Sequence, residues 1–176
     1  VPGSLGAVKY TGQLEDGESG NTAVIMDITV KASPDEARAL RAEKLLGEMT
    51  LEGKVAQMFL AHYPASGAPG KTLTSQPGGY ILFSEVFRDK TPSGIQAAIE
   101  ECQKNAAVPM LVGVDEEGGL VNRISQFPQY RDAPFQSPQS LYSDGGWDAI
   151  AADTTEKDAL LKSLGLNLNL APVCDV

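Results

Sequence analysis

Four short apolar runs, at residues 55–60, 79–83, 110–114 and 166–170, punctuate the chain beyond position 49. Between them lie segments whose apolar residues recur at helical spacing, and this alternation predicts βα units with a parallel sheet. Ile95, Ala98, Ile99 and Cys102 share one face of a helix that opens at Thr91-Pro92, a cap followed by a first-turn proline, and ends near Asn105. A second helix is predicted from about Trp147 to Leu164, closed by Gly165, after a proline-rich loop over 127–138. Positions 121, 124 and 127 also recur at helical spacing. The runs 80–83 and 110–114 are apolar at nearly every position, as strands covered on both faces are. Residues 166–170, Leu-Asn-Leu-Asn-Leu, alternate instead. Asn167 and Asn169 are therefore predicted on one side, in a polar barrel interior or on a solvated face, with a ligand-facing side as the alternative.

The first thirty residues differ in character. Two stretches rich in β-formers, 8–14 and 22–30, flank the turn-forming Glu-Asp-Gly-Glu-Ser-Gly-Asn of 15–21, which predicts a β-hairpin. Ser33-Pro34-Asp35-Glu36 then supplies an N-cap, a proline at the first helical position and a glutamate three residues after the cap, predicting a helix to about Gly47. The expected organisation is a hairpin appendage over 1–32 and an α/β domain over 33–176.

Composition narrows the function. The chain has 176 residues, 42% hydrophobic and 21% charged, and a formal charge of -9. Without a Lys/Arg cluster, that balance excludes nucleic acid or an anionic membrane surface as the main partner. No run approaches the roughly 18 apolar residues of a membrane span. Cys102 and Cys174 sit far apart in apolar runs and read as buried thiols. Because residue 1 is Val, removal of an upstream segment is expected; the compartment stays undecided.

The most informative stretch is Val112-Gly-Val-Asp-Glu-Glu-Gly-Gly119. It places three carboxylates and two glycines directly after a buried strand, at the carboxyl edge of a parallel sheet where βα proteins bind ligands. Gly118 and Gly119 let the backbone turn and approach a ligand closely. Asp115 and Arg123 together suit a polyol, because a carboxylate accepts from vicinal hydroxyls and a guanidinium donates in a fixed fork. The alternatives are a charged pair that fastens a loop, and a Mg or Ca site built on the clustered carboxylates. His62, just beyond the first predicted strand, is a candidate binding residue or a loop histidine without chemistry. Asp175 occupies the corresponding end of the fourth strand.

Four phrases, Met49-Thr-Leu-Glu-Gly-Lys-Val-Ala-Gln-Met58, Gly78-Gly-Tyr-Ile-Leu-Phe-Ser84, Val108-Pro-Met-Leu-Val-Gly-Val-Asp-Glu-Glu-Gly-Gly119 and Gly165-Leu-Asn-Leu-Asn-Leu-Ala-Pro-Val-Cys-Asp-Val176, resemble in order and spacing the amino-terminal catalytic domain of family-three glycoside hydrolases. The similarity is to the β-N-acetylhexosaminidase branch and covers about residues 45–176. It implies the first half of a TIM (β/α)8-type barrel, about four parallel βα units; the hairpin and first helix, read from the residues themselves, precede it and the hairpin lies outside the resemblance. It also implies that Asp115 and Arg123 bind sugar hydroxyls, that no cofactor is needed, and that the nucleophile and acid/base groups lie outside this chain. Two departures stand out: Leu120 where relatives often carry Arg, and Gly53 where a glutamate would complete a capping box on Thr50.

The expected activity is that of the amino-terminal half of a retaining β-glycosidase, hydrolysing terminal β-linked N-acetylglucosamine, with the chain alone inactive. A β-glucosidase or β-xylosidase of the same family, or a non-catalytic carbohydrate-binding module derived from the barrel, are the rivals. A complete barrel needs about 250 residues, so the fourth strand is expected to present an open edge. A second copy, a complementing carboxyl-terminal half or the hairpin would cover it.

Overall fold

The computed structural model of the chain describes residues 7–12, 26–31, 33–64, 76–104 and 106–173. They belong to two compact units, Val1–Thr50 and Leu51–Val176. In the first, β1 (Ala7–Gly12) pairs antiparallel with β2 (Met26–Lys31). The segment between them, on which the hairpin expectation rests, lies outside the described residues. Helix α1 (Pro34–Glu48) starts where the sequence predicts. The Ser33 Oγ accepts from the Glu36 N–H at 3.3 Å while Glu36 accepts from the Ser33 N–H at 2.8 Å, so two backbone donors that a helix start leaves orphaned are satisfied reciprocally.

The second unit carries α2 (Leu51–Ala56), β3 (Leu60–His62), β4 (Gly79–Leu82), α3 (Ser84–Phe87), α4 (Pro92–Lys104), β5 (Leu111–Val114), α5 (Pro138–Ser163) and β6 (Leu168–Asn169). All four strands are parallel, in the order β3-β4-β5-β6. The register aligns His62 with Ile81, Ile81 with Gly113, and Gly113 with Leu168, so these residues form one row on one sheet face. The opposite face carries Tyr80, Leu82, Val112 and Val114, all buried against Val86 and Phe87 of α3, Ile95, Ile99 and Cys102 of α4, and Leu161 of α5. Each such side chain contributes about 1.5–3 kcal/mol by leaving water, which is what holds the helices on that face. Gln103 of α4 accepts from the Met110 N–H at 3.0 Å and donates to its carbonyl at 2.8 Å, pinning the entry to β5.

Helix α5 ends at a Schellman motif: Gly165, at φ +87°, donates to the Lys162 carbonyl and Leu166 donates to that of Leu161. It begins earlier than the sequence suggests, because Ser137 caps it through the Ser140 N–H and Pro138 fits its first turn; non-helical Gly145 and Gly146 interrupt it before Trp147.

Three further expectations change. Residues 55–60 do not form the first strand: Leu51–Ala56 is helical, the Gly78 N–H closes on the Ala56 carbonyl, and the strand starts only at Leu60. A short apolar run that straddles a helix end and a strand start has no period of its own. Residues 121–127 form turns rather than a helix, for a reason given below. Asn167 is exposed and Asn169 half-buried, so the solvated side holds in part, but both amides are spent on the backbone in and beside β5. Asn167 accepts from the Val112 N–H at 2.7 Å and donates to the Met110 carbonyl at 3.0 Å; Asn169 accepts from the Glu116 N–H at 3.0 Å and donates to its carbonyl at 3.2 Å. Among the described residues no helix is long and apolar enough to cross a membrane.

Candidate functional site

Beyond the end of β5 the strand's alternation continues. Val112, Val114 and Glu116 point to the helix side and are 1%, 0% and 0% exposed, whereas Gly113 and Asp115 have the opposite parity. Two adjacent carboxylates are thereby sent to opposite faces. Glu116 is enclosed and accepts from the N–H groups of Arg123, Ile124 and Ser125 at 2.7, 2.8 and 3.1 Å and from the Ser125 hydroxyl. The Ser125 oxygen in turn accepts from the Phe135 N–H at 3.2 Å. Three consecutive N–H groups are drawn onto one side chain, and the bonds that follow, from the Phe127 N–H to Ile124 and from the Tyr130 N–H to Phe127, close single turns rather than a helical ladder. That is why their apolar spacing gives turns, with Ile124 still buried as the spacing requires. Gly118, at φ +94°, has no room for a side chain: an added Cβ would lie 2.1 Å from the Gln136 carbonyl oxygen. The close approach these glycines permit here is to the chain itself, at Gln136 and Ser137.

On the other face, Asp115 meets Arg123: Nη2 lies 3.4 Å from Oδ2, with the two side chains 32% and 21% exposed. The Arg123 Cζ sits 5.5 Å from the centre of the Phe83 ring, and its Nε is buried without a hydrogen-bond partner. His62, the last residue of β3, stacks on Phe83 with ring centres 5.0 Å apart, and its Nε2 is 3.0 Å from Oε1 of Glu85 in α3. The Glu85 carboxyl is held below its ordinary value, first by its own backbone N–H and then by His62 and Arg123. Gln126 donates to the Ser84 hydroxyl at 2.8 Å, tying the loop after β5 to α3.

The structure thus brings together three of the four residues singled out in the sequence, His62, Asp115 and Arg123, through Phe83. Asp175 lies outside the described residues, as does Cys174. Phe83, Glu85 and Glu116, which the structure adds to this rim, are not among the four. The first two follow β4 as directly as His62 ends β3, so the same strand-end argument reaches them; Glu116 was legible in the parity of residues 112–116. Glu117 instead stands near Lys157, whose ammonium contacts the Glu117 carbonyl at 3.3 Å and pairs with Asp153 at 3.1 Å. A cleft of about 750 Å³ beside Trp147 and Lys157 touches Glu117 and Asn169 but none of the residues around Arg123. No cluster of three metal-ligating side chains occurs among the described residues.

The profile described as "Glycosyl hydrolase family 3 N terminal domain" matches residues 50–176. The chain belongs to glycosyl hydrolase family 3. Within it, the chain is 34% identical over 104 residues to a "Beta-hexosaminidase" of Photobacterium profundum, covering 56% of this chain and 28% of that protein. It is 33% identical over 116 residues to a "Beta-hexosaminidase" of Pasteurella multocida, covering 59% and 30%. An "Uncharacterized secreted glycosyl hydrolase" of Arthroderma benhamiae is 31% identical over 135 residues, covering 70% and 35%. The aligned part is less than a third of each of the two hexosaminidases. In family 3 terms, the loop around Asp115 and Arg123 and the strand ends of β3, β4 and β5 all lie inside the matched region.

Proposed function

We propose that this chain is the amino-terminal part of the (β/α)8-type barrel of a retaining β-glycosidase, hydrolysing terminal β-linked N-acetylglucosamine, and that it supplies part of the sugar subsite. The observation that carries the reading is Arg123: a guanidinium held over Phe83 at the carboxyl ends of parallel strands, with Asp115 at 3.4 Å and a buried Nε that lacks an acceptor. Ligand-binding groups of βα barrels occupy this edge. Asp115 would accept from a sugar hydroxyl while the solvent-facing part of the Arg123 guanidinium donates to its neighbour. His62 borders the same surface. The hexosaminidase names of the relatives support the sugar.

A retaining displacement needs a carboxylate nucleophile and a separate proton donor. Both are assigned to residues outside this chain, so the 176 residues are expected to bind without turnover. Ligand-observed NMR with methyl N-acetyl-β-glucosaminide tests this: wild type gives a saturable signal that Asp115→Ala and Arg123→Ala reduce at least tenfold. No binding by wild type, or binding indifferent to both substitutions, sinks the subsite. Cleavage of an aryl N-acetyl-β-glucosaminide by the chain, sensitive to these substitutions, sinks the claim of inactivity.

A further inference from the structure

Glu85 is a carboxylate on the same rim to which the sugar reading gives no task. It sits in the first turn of α3, and His62 reaches it from a different strand at 3.0 Å, across 23 positions of sequence. The two side chains remain 55% and 43% exposed. A pair this open stabilises a fold by only about 0–1 kcal/mol, so stability does not account for it. The pair is joined to Arg123 through Phe83, which stacks on the His62 ring at 5.0 Å and lies under the guanidinium at 5.5 Å. Around one aromatic ring the protein thus gathers two carboxylates, Asp115 and Glu85, and one guanidinium. The carboxylates there outnumber the guanidinium, on a chain whose net charge is already -9.

We propose that Glu85, positioned by His62, is a specificity-determining residue of this site, accepting from a hydroxyl of a neutral sugar and repelling sugars that carry a carboxylate or sulfate. The inference rests on the subsite reading above and adds to it a substrate class that is excluded. A guanidinium faced by a single carboxylate would receive a uronic acid; faced by two, it is already outnumbered. Glu85 is held below the ordinary carboxyl range and so carries full charge at neutral pH. Its repulsion of an anion falls with ionic strength, because the rim is open to solvent.

The experiment titrates the 176-residue chain with methyl N-acetyl-β-glucosaminide and with methyl β-glucuronide by NMR, at low and high salt. Wild type is expected to bind the first and to bind the second at least tenfold more weakly. Glu85→Gln is expected to weaken the neutral sugar about threefold and to tighten the glucuronide, closing most of the gap, with the salt dependence of the gap lost. His62→Ala should move selectivity the same way and less far, and His62→Gln, which still donates to Glu85, should restore it. Thermal melts of each variant check that the fold is intact, as the exposure of both residues predicts. Glu85→Gln behaving as wild type toward both sugars, while Asp115→Ala abolishes binding, overturns the role of Glu85 and leaves the subsite standing. Equal weakening for both sugars overturns the selectivity. No binding by wild type overturns the subsite reading and this one with it.

Discussion

At the end of β5 the rim is made by backbone groups gathered on a buried carboxylate, whereas at the ends of β3 and β4 it is made by side chains that meet in solvent. Glu116 organises the first region: three N–H groups and a hydroxyl converge on it, and its own N–H and carbonyl are taken by Asn169. His62, Phe83 and Glu85 make the second, through one hydrogen bond and one stacked ring. Both regions reach Arg123, the first through its backbone and the second through its guanidinium. The contrast separates what places a functional group from what the group then touches. Substitutions in the first region should cost stability, and those in the second should change recognition while leaving the fold alone.

The largest effect should come from Glu116→Ala. It strands three N–H groups and a hydroxyl in a site with no solvent access, and removing one partner of such a buried charged network costs about 3–5 kcal/mol. For a chain of this length that is a fall in melting temperature of roughly 10 °C, read by circular dichroism. A melt unchanged within a degree would dissolve the contrast between the two regions. Gly118→Ala should follow at about 2 kcal/mol, since it combines a positive φ with an overlap on the Gln136 carbonyl; urea denaturation measures it. Asn169→Ala removes two side-chain bonds to the Glu116 backbone and should cost about 1–2 kcal/mol, with faster hydrogen exchange at the Glu116 amide as its local signature.

The smallest effect sharpens the comparison from the other side. His62→Ala should change stability by less than about 0.5 kcal/mol, as exposed pairs do. It should still raise the Glu85 carboxyl part of the way toward its ordinary value, the rest being held by the Glu85 backbone N–H. Because the folded-state value is depressed, the His62–Glu85 contact stabilises above the ordinary carboxyl range and is lost as pH falls through the depressed value. A carbon-detected titration of Glu85 in wild type and variant follows the shift. A fall of several degrees in melting temperature would place His62 with the structural region instead.

Legibility in the sequence follows the same division. Features set by local chemistry were readable: the Ser33–Glu36 capping box, the buried face of α4 through Ile95, Ile99 and Cys102, and the closing role of Gly165. What depended on partners far along the chain was not. The apolar spacing of 121, 124 and 127 counts buried positions correctly, but the N–H groups between them answer to Glu116, which the spacing does not include. Asn167 and Asn169 alternate with leucine as a solvated strand would, yet their partners lie more than fifty positions away, in β5 and at its two ends. Of the candidate site, the strand-end position points to Asp115 and His62 and the downstream arginine to Arg123, whereas the continuous apolar run Tyr80–Phe83 reads as buried and hides Phe83 and, beyond it, Glu85.

The two asparagine amides also act as a register code. β6 offers only two paired residues to β5, so backbone bonding specifies its alignment weakly. A slip by one residue would set a leucine against each backbone position that the amides now serve. A slip by two would leave one of the two positions without its amide. Leu-Asn-Leu-Asn-Leu thus works as a toothed edge, in which misalignment of a very short strand exposes itself as unpaired amide and carbonyl groups on its neighbour.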